Sequence, residues 1–258
     1  MYTRPVPEDF AARREQLDQL ELTLTGFANR DPSLPGGPIQ FDPTFRPDVR
    51  NLGLDWPKSA LTMVGRKRLH NFRRLIERVI RSEIPGDIIE TGVWRGGASI
   101  LARAVLKAWD VTDRRVIVAD SFQGLPPPNV ELWPADIGSD LHDYPDLAVS
   151  LEQVQANFRE MGMLDEQVVF LKGWFRDTMP LVKSTQLAVI RLDGDMYEST
   201  IDPLNHLYDR LSPGGWVIVD DYHMIPACKA AVHDFFNARG INPGLRPIDL
   251  CGVFFRKG

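Results

Sequence analysis

Four carboxylates stand in two short clusters, Asp193-Gly194-Asp195 and Asp220-Asp221, each directly behind a run of apolar residues. Those runs, Leu187-Ala188-Val189-Ile190-Arg191-Leu192 and Trp216-Val217-Ile218-Val219, read as strands covered on both faces. In open α/β sheets, ligand sites form just outside the carboxyl ends of such strands. If the two strands are neighbours, four acids meet in one small volume, which repels itself unless protons or a cation enter. An all-oxygen donor set suits a hard divalent ion. Mg²⁺ suits it best, since it takes few protein carboxylates and keeps positions open for substrate. Asp and Gly also favour plain strand-exit turns, so either cluster alone says little. The pair, together with a glycine turn upstream, argues for a site.

That turn lies in Gly86-Asp87-Ile88-Ile89-Glu90-Thr91-Gly92-Val93-Trp94-Arg95-Gly96-Gly97-Ala98-Ser99. An apolar strand breaks at Gly92, where the missing Cβ permits positive φ or close approach of a ligand. A helix follows, with Ile100, Leu101, Ala104, Val105, Ala108 and Trp109 at helical spacing. This is the opening half of a mononucleotide-binding βαβ unit. The next strand, Arg115 to Ala119, ends in Asp120, an acid able to hold a pair of ribose hydroxyls. The glycines at 92, 96 and 97 do not spell the Gly-x-Gly-x-x-Gly fingerprint that seats a pyrophosphate. Glu90 before the turn disfavours a pyrophosphate and favours a cation. S-adenosylmethionine (SAM) meets those demands, with a ribose, an adenine, no phosphate and a sulfonium.

The segments Glu90–Gly97, Val118–Gly124, Gly173-Trp174-Phe175-Arg176-Asp177-Thr178, Arg191–Asp195 and Val219–Tyr222 resemble the macrocin O-methyltransferase family. The resemblance runs in order from about Leu61 to the C-terminus. It implies SAM- and Mg²⁺-dependent methylation of sugar hydroxyls during assembly of macrolide and aminocoumarin antibiotics. It implies Asp193, Asp220 and Asp221 as metal ligands and Asp195 as the base, whereas spacing alone leaves Asp193 and Asp195 interchangeable. For the cofactor, Glu90 and Gly92 are assigned to the methionine end and Asp120 to the ribose. Ser121, Trp174 and Asp177 are placed near the adenine, and Thr62 and Met63 over the sulfonium. Trp174 and Phe175 also suit a plain aromatic core. His223, beside the acidic pair, is a candidate second base or simply a packed ring.

Around these residues the chain alternates strands and helices, with helices expected over Pro203 to Leu211 after the Asp-Gly-Asp cluster and over Ile225 to Arg239 after Asp220-Asp221. This predicts an α/β fold, a mainly parallel Rossmann-like sheet with helices on both faces. The resemblance implies the seven-stranded class I SAM methyltransferase version, closed by an antiparallel strand within a hairpin over 244–257. Residues 1–60 are expected to form an N-terminal helical extension and arm, and 61–258 the methyltransferase domain. Within it, 126–146 is too long and proline-rich for a routine connection and is expected to be a lid. Its Leu132, Trp133, His142 and Tyr144 suit packing against a sugar or macrocycle.

With 258 residues and 43% hydrophobic content, one large domain can bury its own core without disulfides. The net charge of −5 disfavours nucleic acid as a partner. Arg66-Lys67-Arg68 and Arg73-Arg74 share a helix with Leu69, Phe72, Ile76 and Val79, and read as its solvated face. Two cysteines without metal spacing, and no apolar signal core or membrane-length run, point to a reduced cytoplasmic setting. The expected partner is a glycosylated small-molecule acceptor, with no membrane and with a homo-oligomer left open. Two other classes remain: a glycosyltransferase using the Asp-x-Asp motif, and a non-catalytic SAM-binding auxiliary protein.

Overall fold

Apolar runs flanked by turn residues become strands when helices can cover both of their faces. A computed structural model, which describes residues 3–35 and 42–258, shows that outcome. The elements are α1 (Phe10–Leu24), α2 (Pro47–Leu52), α3 (Arg66–Arg81), β1 (Asp87–Thr91), α4 (Gly97–Ala108), β2 (Val116–Asp120) and α5 (Leu151–Glu160). There follow β3 (Val168–Lys172), α6 (Phe175–Thr178), β4 (Leu187–Leu192), α7 (Tyr197–Leu207), β5 (Leu211–Val219), α8 (Pro226–Arg239), β6 (Arg246–Pro247) and β7 (Val253–Arg256). The seven strands lie in the order β3-β2-β1-β4-β5-β7-β6. All neighbours are parallel except β7, which runs antiparallel to β5 and β6. The chain moves outward from β1 and returns to β4, so the switch point of the sheet falls between those two strands.

Alternation along each strand divides the core between the two faces of the sheet. Ile88, Val116, Val118, Val189 and Ile218 pack with α3, α4 and α5, while Ile89, Ile117, Ile190, Val217 and Val219 pack with α7 and α8. Each such side chain contributes about 1.5–3 kcal/mol on burial. Ser150 caps α5 by accepting from the Gln153 amide at 3.2 Å, as its position before the apolar stripe predicts.

Two expectations about helices change. Helix α7 starts at Tyr197, six residues before the Pro203 expected from sequence. The cause is remote: Asp136 accepts from the Tyr197 amide at 2.6 Å and the Glu198 amide at 3.1 Å, satisfying donors the helix itself cannot. The charged face of α3 is not simply solvated. Lys67 and Arg74 are exposed, but Arg68 and Arg73 are only 4% and 2% exposed. Arg73 is held by Asp18 and Glu21 of α1 and by Glu77. A buried guanidinium persists only where acids from other elements reach it, and helical periodicity carries no sign of them.

The N-terminal segment is built onto the domain. Helix α1 packs on α4 and α3. Fully buried Arg50 pairs with Asp55 at 2.7 Å and donates to the carbonyls of Thr25 and Asp31 at 3.0 Å each. The amides of Leu61 and Thr62 donate to the Leu24 carbonyl, and the Gly97 amide donates to the Leu61 carbonyl at 2.9 Å. These links lay Thr62 and Met63 against the start of α4. Among the described residues, no helix is long and apolar enough to cross a membrane.

Candidate active site

The register of β4 and β5 brings the two acidic clusters together. Leu192 pairs with Val219, so Asp193 and Asp220 leave the sheet side by side. The Asp220 amide donates to the Leu192 carbonyl at 2.9 Å, and the Asp193 amide to the Thr91 carbonyl at 2.9 Å. One carboxylate oxygen from each of Asp193, Asp220 and Asp221 lies within 4.8 Å of the other two. Asp195 follows in a left-handed conformation, φ 63°, with its amide donating to Asp221 at 3.2 Å. Such a backbone costs about 1–3 kcal/mol in a non-glycine residue and marks sites where geometry is imposed.

Gly92 has φ +84°, and a Cβ there would lie 1.8 Å from the Asp193 carbonyl oxygen. The glycine is therefore required by backbone approach of β1 to β4, as well as by any ligand.

Beneath the acids lies a feature that apolar patterning hides. Arg191, within the apolar run of β4, is fully buried. Its Nη1 donates to Glu90 at 2.5 Å and Asp193 at 2.7 Å, and its Nη2 to Asp220 at 2.5 Å. Arg68 of α3 pairs with the other Asp220 oxygen and, at 3.2 Å, with Asp249. A signal for Arg191 did exist: a cation in a doubly covered strand requires a buried anion, and Glu90 is its register partner on β1.

Burial dominates the titration of the cluster. It lifts Asp193 to about 6 against the pull of Arg191. It lifts Asp195 to about 7 with help from the Asp193 and Asp220 charges, and Glu90 to about 7 against Arg191. Asp221 is raised well above the usual carboxylate range by burial and by Asp195. In metal-free protein these groups bind protons more tightly folded than unfolded. Stability is thus expected to fall as pH rises from about 4 through about 7, and a divalent cation should flatten that slope. Melting temperature against pH, with EDTA or Mg²⁺, checks both.

A cleft opens beside the cluster at the carboxyl edge of the sheet. Its walls include Met63, Gly92, Asp120, Ser121, Trp174, Asp193 and Asp195 from the sequence reading. Asp120 accepts from the Val93 amide on Oδ2 at 2.7 Å and from the Phe122 amide on Oδ1 at 2.8 Å, with the Ser121 hydroxyl 3.4 Å from Oδ1. The Ser121 hydroxyl donates to the Gly124 carbonyl at 2.6 Å and so shapes the turn. Trp174 and Phe175 form cleft wall and are only half-buried, so they are not plain core aromatics.

Three assigned residues are placed elsewhere. Glu90 is buried behind the turn, bound to Arg191 and Ser99, because the cation it attracts is the protein's own. Asp177 is exposed beside Arg176. Thr62 is buried, accepting from the Val64 amide at 3.1 Å, and shapes the approach of Met63. His223 is exposed, with its ring against Tyr222 at 4.9 Å. Trp94, Arg176, Glu198 and Asp202 also line the cleft and were not assigned; those on α7 carried no sequence signal, since the start of that helix was misplaced.

In the segment 126–146, Trp133 packs on Tyr197 at 5.3 Å and Tyr144 on Trp56 at 5.4 Å. Asp136 is 1% exposed, whereas Leu132 and Ile137 are 67% and 77% exposed.

The site can thus gather a small oxygen-seeking cation, an acid poised to take a proton, and an elongated ligand along the strand ends. The sequence pattern of the macrocin-O-methyltransferase (TylF) family matches residues 25–257, which takes in every element of this site. The chain belongs to the macrocin O-methyltransferase family. It is a SAM-dependent O-methyltransferase, and the glycosyltransferase and auxiliary-protein alternatives fall away. It is 51% identical, over 95% of this chain and 93% of the other, to the 8-demethyl-8-(2,3-dimethoxy-alpha-L-rhamnosyl)-tetracenomycin-C 4'-O-methyltransferase of Streptomyces olivaceus. It is 48% identical, over 93% and 95%, to the mycinamicin III 3''-O-methyltransferase of Micromonospora griseorubida. The solved structure of the O-methyltransferase NovP superposes with a TM-score of 0.91 at 48% identity, covering 95% of this chain and 99% of that one. The expected seven-stranded methyltransferase sheet is therefore the fold of this family member.

Proposed function

We propose that this enzyme transfers a methyl group from SAM to a sugar hydroxyl of a glycosylated natural product, with Mg²⁺ held by Asp193, Asp220 and Asp221 and with Asp195 as general base. The observation that carries this reading is the strand register that gathers Asp193, Asp220 and Asp221, with Asp193 and Asp195 in the wall of the cleft. The donor set is all oxygen, and the excess negative charge of the cluster fits a hard divalent ion. Mg²⁺, when bound, supplies Lewis acidity that lowers the pKa of an acceptor hydroxyl. Asp195 takes the hydroxyl proton as the oxygen attacks the methyl carbon, and alignment within the cleft contributes several kcal/mol more. Relatives at about half identity are named for 4'-O- and 3''-O-methylation of glycosylated compounds, which supports a sugar acceptor.

Met63, Gly92 and Trp94 line the end of the cleft suited to the methionine moiety, Asp120 takes the ribose, and Trp174 with Phe175 faces the adenine. Asp120→Ala is expected to weaken SAM binding by about 1.5–3 kcal/mol, the usual range for charge-assisted hydrogen bonds. Unchanged affinity by calorimetry would exclude the ribose role. The exposed stretches on either side of Asp136 serve as a lid over the acceptor, and Asp136 itself stays pinned to α7. We place the enzyme in the cytoplasm, a setting that suits its two free, buried cysteines.

Matched glycosides and aglycones, incubated with SAM and analysed by mass spectrometry, test the acceptor class. Methyl addition to the sugar of the glycoside supports it. Methylation of an aglycone hydroxyl with the sugar untouched overturns it.

A further inference from the structure

Asp220, one of the three residues assigned to the cation, already has a guanidinium on each oxygen: Arg191 on one at 2.5 Å and Arg68 on the other. Arg191 also joins Glu90 and Asp193, so this one buried side chain ties together acids from β1, the β4 exit and the β5 exit. Arg68 brings in Asp249 from the hairpin between β6 and β7. Both arginines are buried, 0% and 4% exposed, so solvent does little to screen them. Every carboxylate oxygen in these pairs keeps a second lone pair, so the pairs do not bar a cation. They fix where the carboxylates stand before it arrives.

We infer that Arg191 and Arg68 are the resident countercharges of the cation site, holding Asp193 and Asp220 in ligand position when the ion is absent and keeping its affinity low enough for exchange. The inference rests on the proposed cation role of Asp193, Asp220 and Asp221. Acids crowded into one buried volume would otherwise spread apart or hold protons until a metal closed them. Two fixed positive charges supply that closure permanently. The same charges oppose an incoming dication through a poorly screened medium. The arginines act through the aspartates and are positioning residues. A purely structural ion pair would, on removal, loosen the site and weaken the metal. A countercharge would, on removal, leave extra negative charge and tighten it.

Titration of Mn²⁺ into metal-stripped full-length protein at about pH 8, with free Mn²⁺ read by electron paramagnetic resonance, separates the two. Arg191→Met and Arg68→Met should each bind Mn²⁺ at least tenfold more tightly than wild type, and Arg191→Lys, which keeps the charge, should stay within about threefold. The melting temperature of the neutral variants should fall in EDTA and recover on adding Mn²⁺. Equal or weaker Mn²⁺ affinity in the variants overturns the inference. If Arg191→Met folds only with Mn²⁺ present, that supports it, and Arg68→Met then carries the affinity comparison. If wild-type protein binds no Mn²⁺, the proposed cation site itself fails, a result distinct from equal affinity in all variants.

Discussion

Replacing Asp195 by Asn should lower kcat by about 10²–10⁴-fold while leaving SAM affinity nearly unchanged, since the amide keeps the shape and cannot take a proton. An alcohol is almost wholly neutral near pH 7, so methyl transfer needs a base in the transition state. Asp195 is buried, and the Asp193 and Asp220 charges lift its carboxyl to about 7. With Mg²⁺ bound the neighbouring charges are offset, so the wild-type rate should rise with pH through an inflection below about 7 and level off above it, where the carboxylate is ionised. Asp193→Asn should behave differently: it should raise the Mg²⁺ concentration needed for half-maximal rate. If Asp195→Asn altered only the metal requirement and left the plateau rate intact, the roles of the two aspartates would be exchanged.

Stripping divalent cations should abolish turnover, and Mg²⁺ should restore it, with SAM binding retained throughout. The separation follows from the layout of the site. Gly92, Asp120, Trp174 and Phe175 line the cleft, whose wall does not include Asp220 or Asp221. The arginine network, meanwhile, holds the acid cluster together without an ion. Calorimetry with S-adenosylhomocysteine in EDTA should thus give an affinity close to that in Mg²⁺, while the rate differs by orders of magnitude. Full activity in a rigorously metal-free sample would remove the cation from the mechanism. Loss of cofactor binding in EDTA would show that the cleft and the acid cluster are not independent.

Helix and strand boundaries show where sequence logic is strong. The strands were readable because doubly covered strands are unbroken apolar runs ended by Gly or Asp, and the acidic clusters lay at those ends. The start of α7 was not readable, because Asp136, sixty-one residues upstream of Tyr197, provides its cap. The cleft wall followed the same rule. Asp120 and Trp174 sit at strand exits and were assigned, while Glu198 and Asp202 entered through the early start of α7.

The sequence by itself determined the alternating α/β order, the two acid clusters, the glycine turn and, through motif resemblance, the family and its chemistry. Each of these depends on residues close together in the chain, where side-chain type and spacing dictate the local outcome. Only the tertiary structure decided that Leu192 pairs with Val219, so that Asp193 stands beside Asp220. It alone decided that Glu90 pairs with Arg191, and that Arg68 turns inward to Asp220 and Asp249. An Arg on an amphipathic helix looks alike whether it meets water or a buried acid. The choice rests on the charges that other elements deliver to it, because an ion leaves water only where its countercharge already waits.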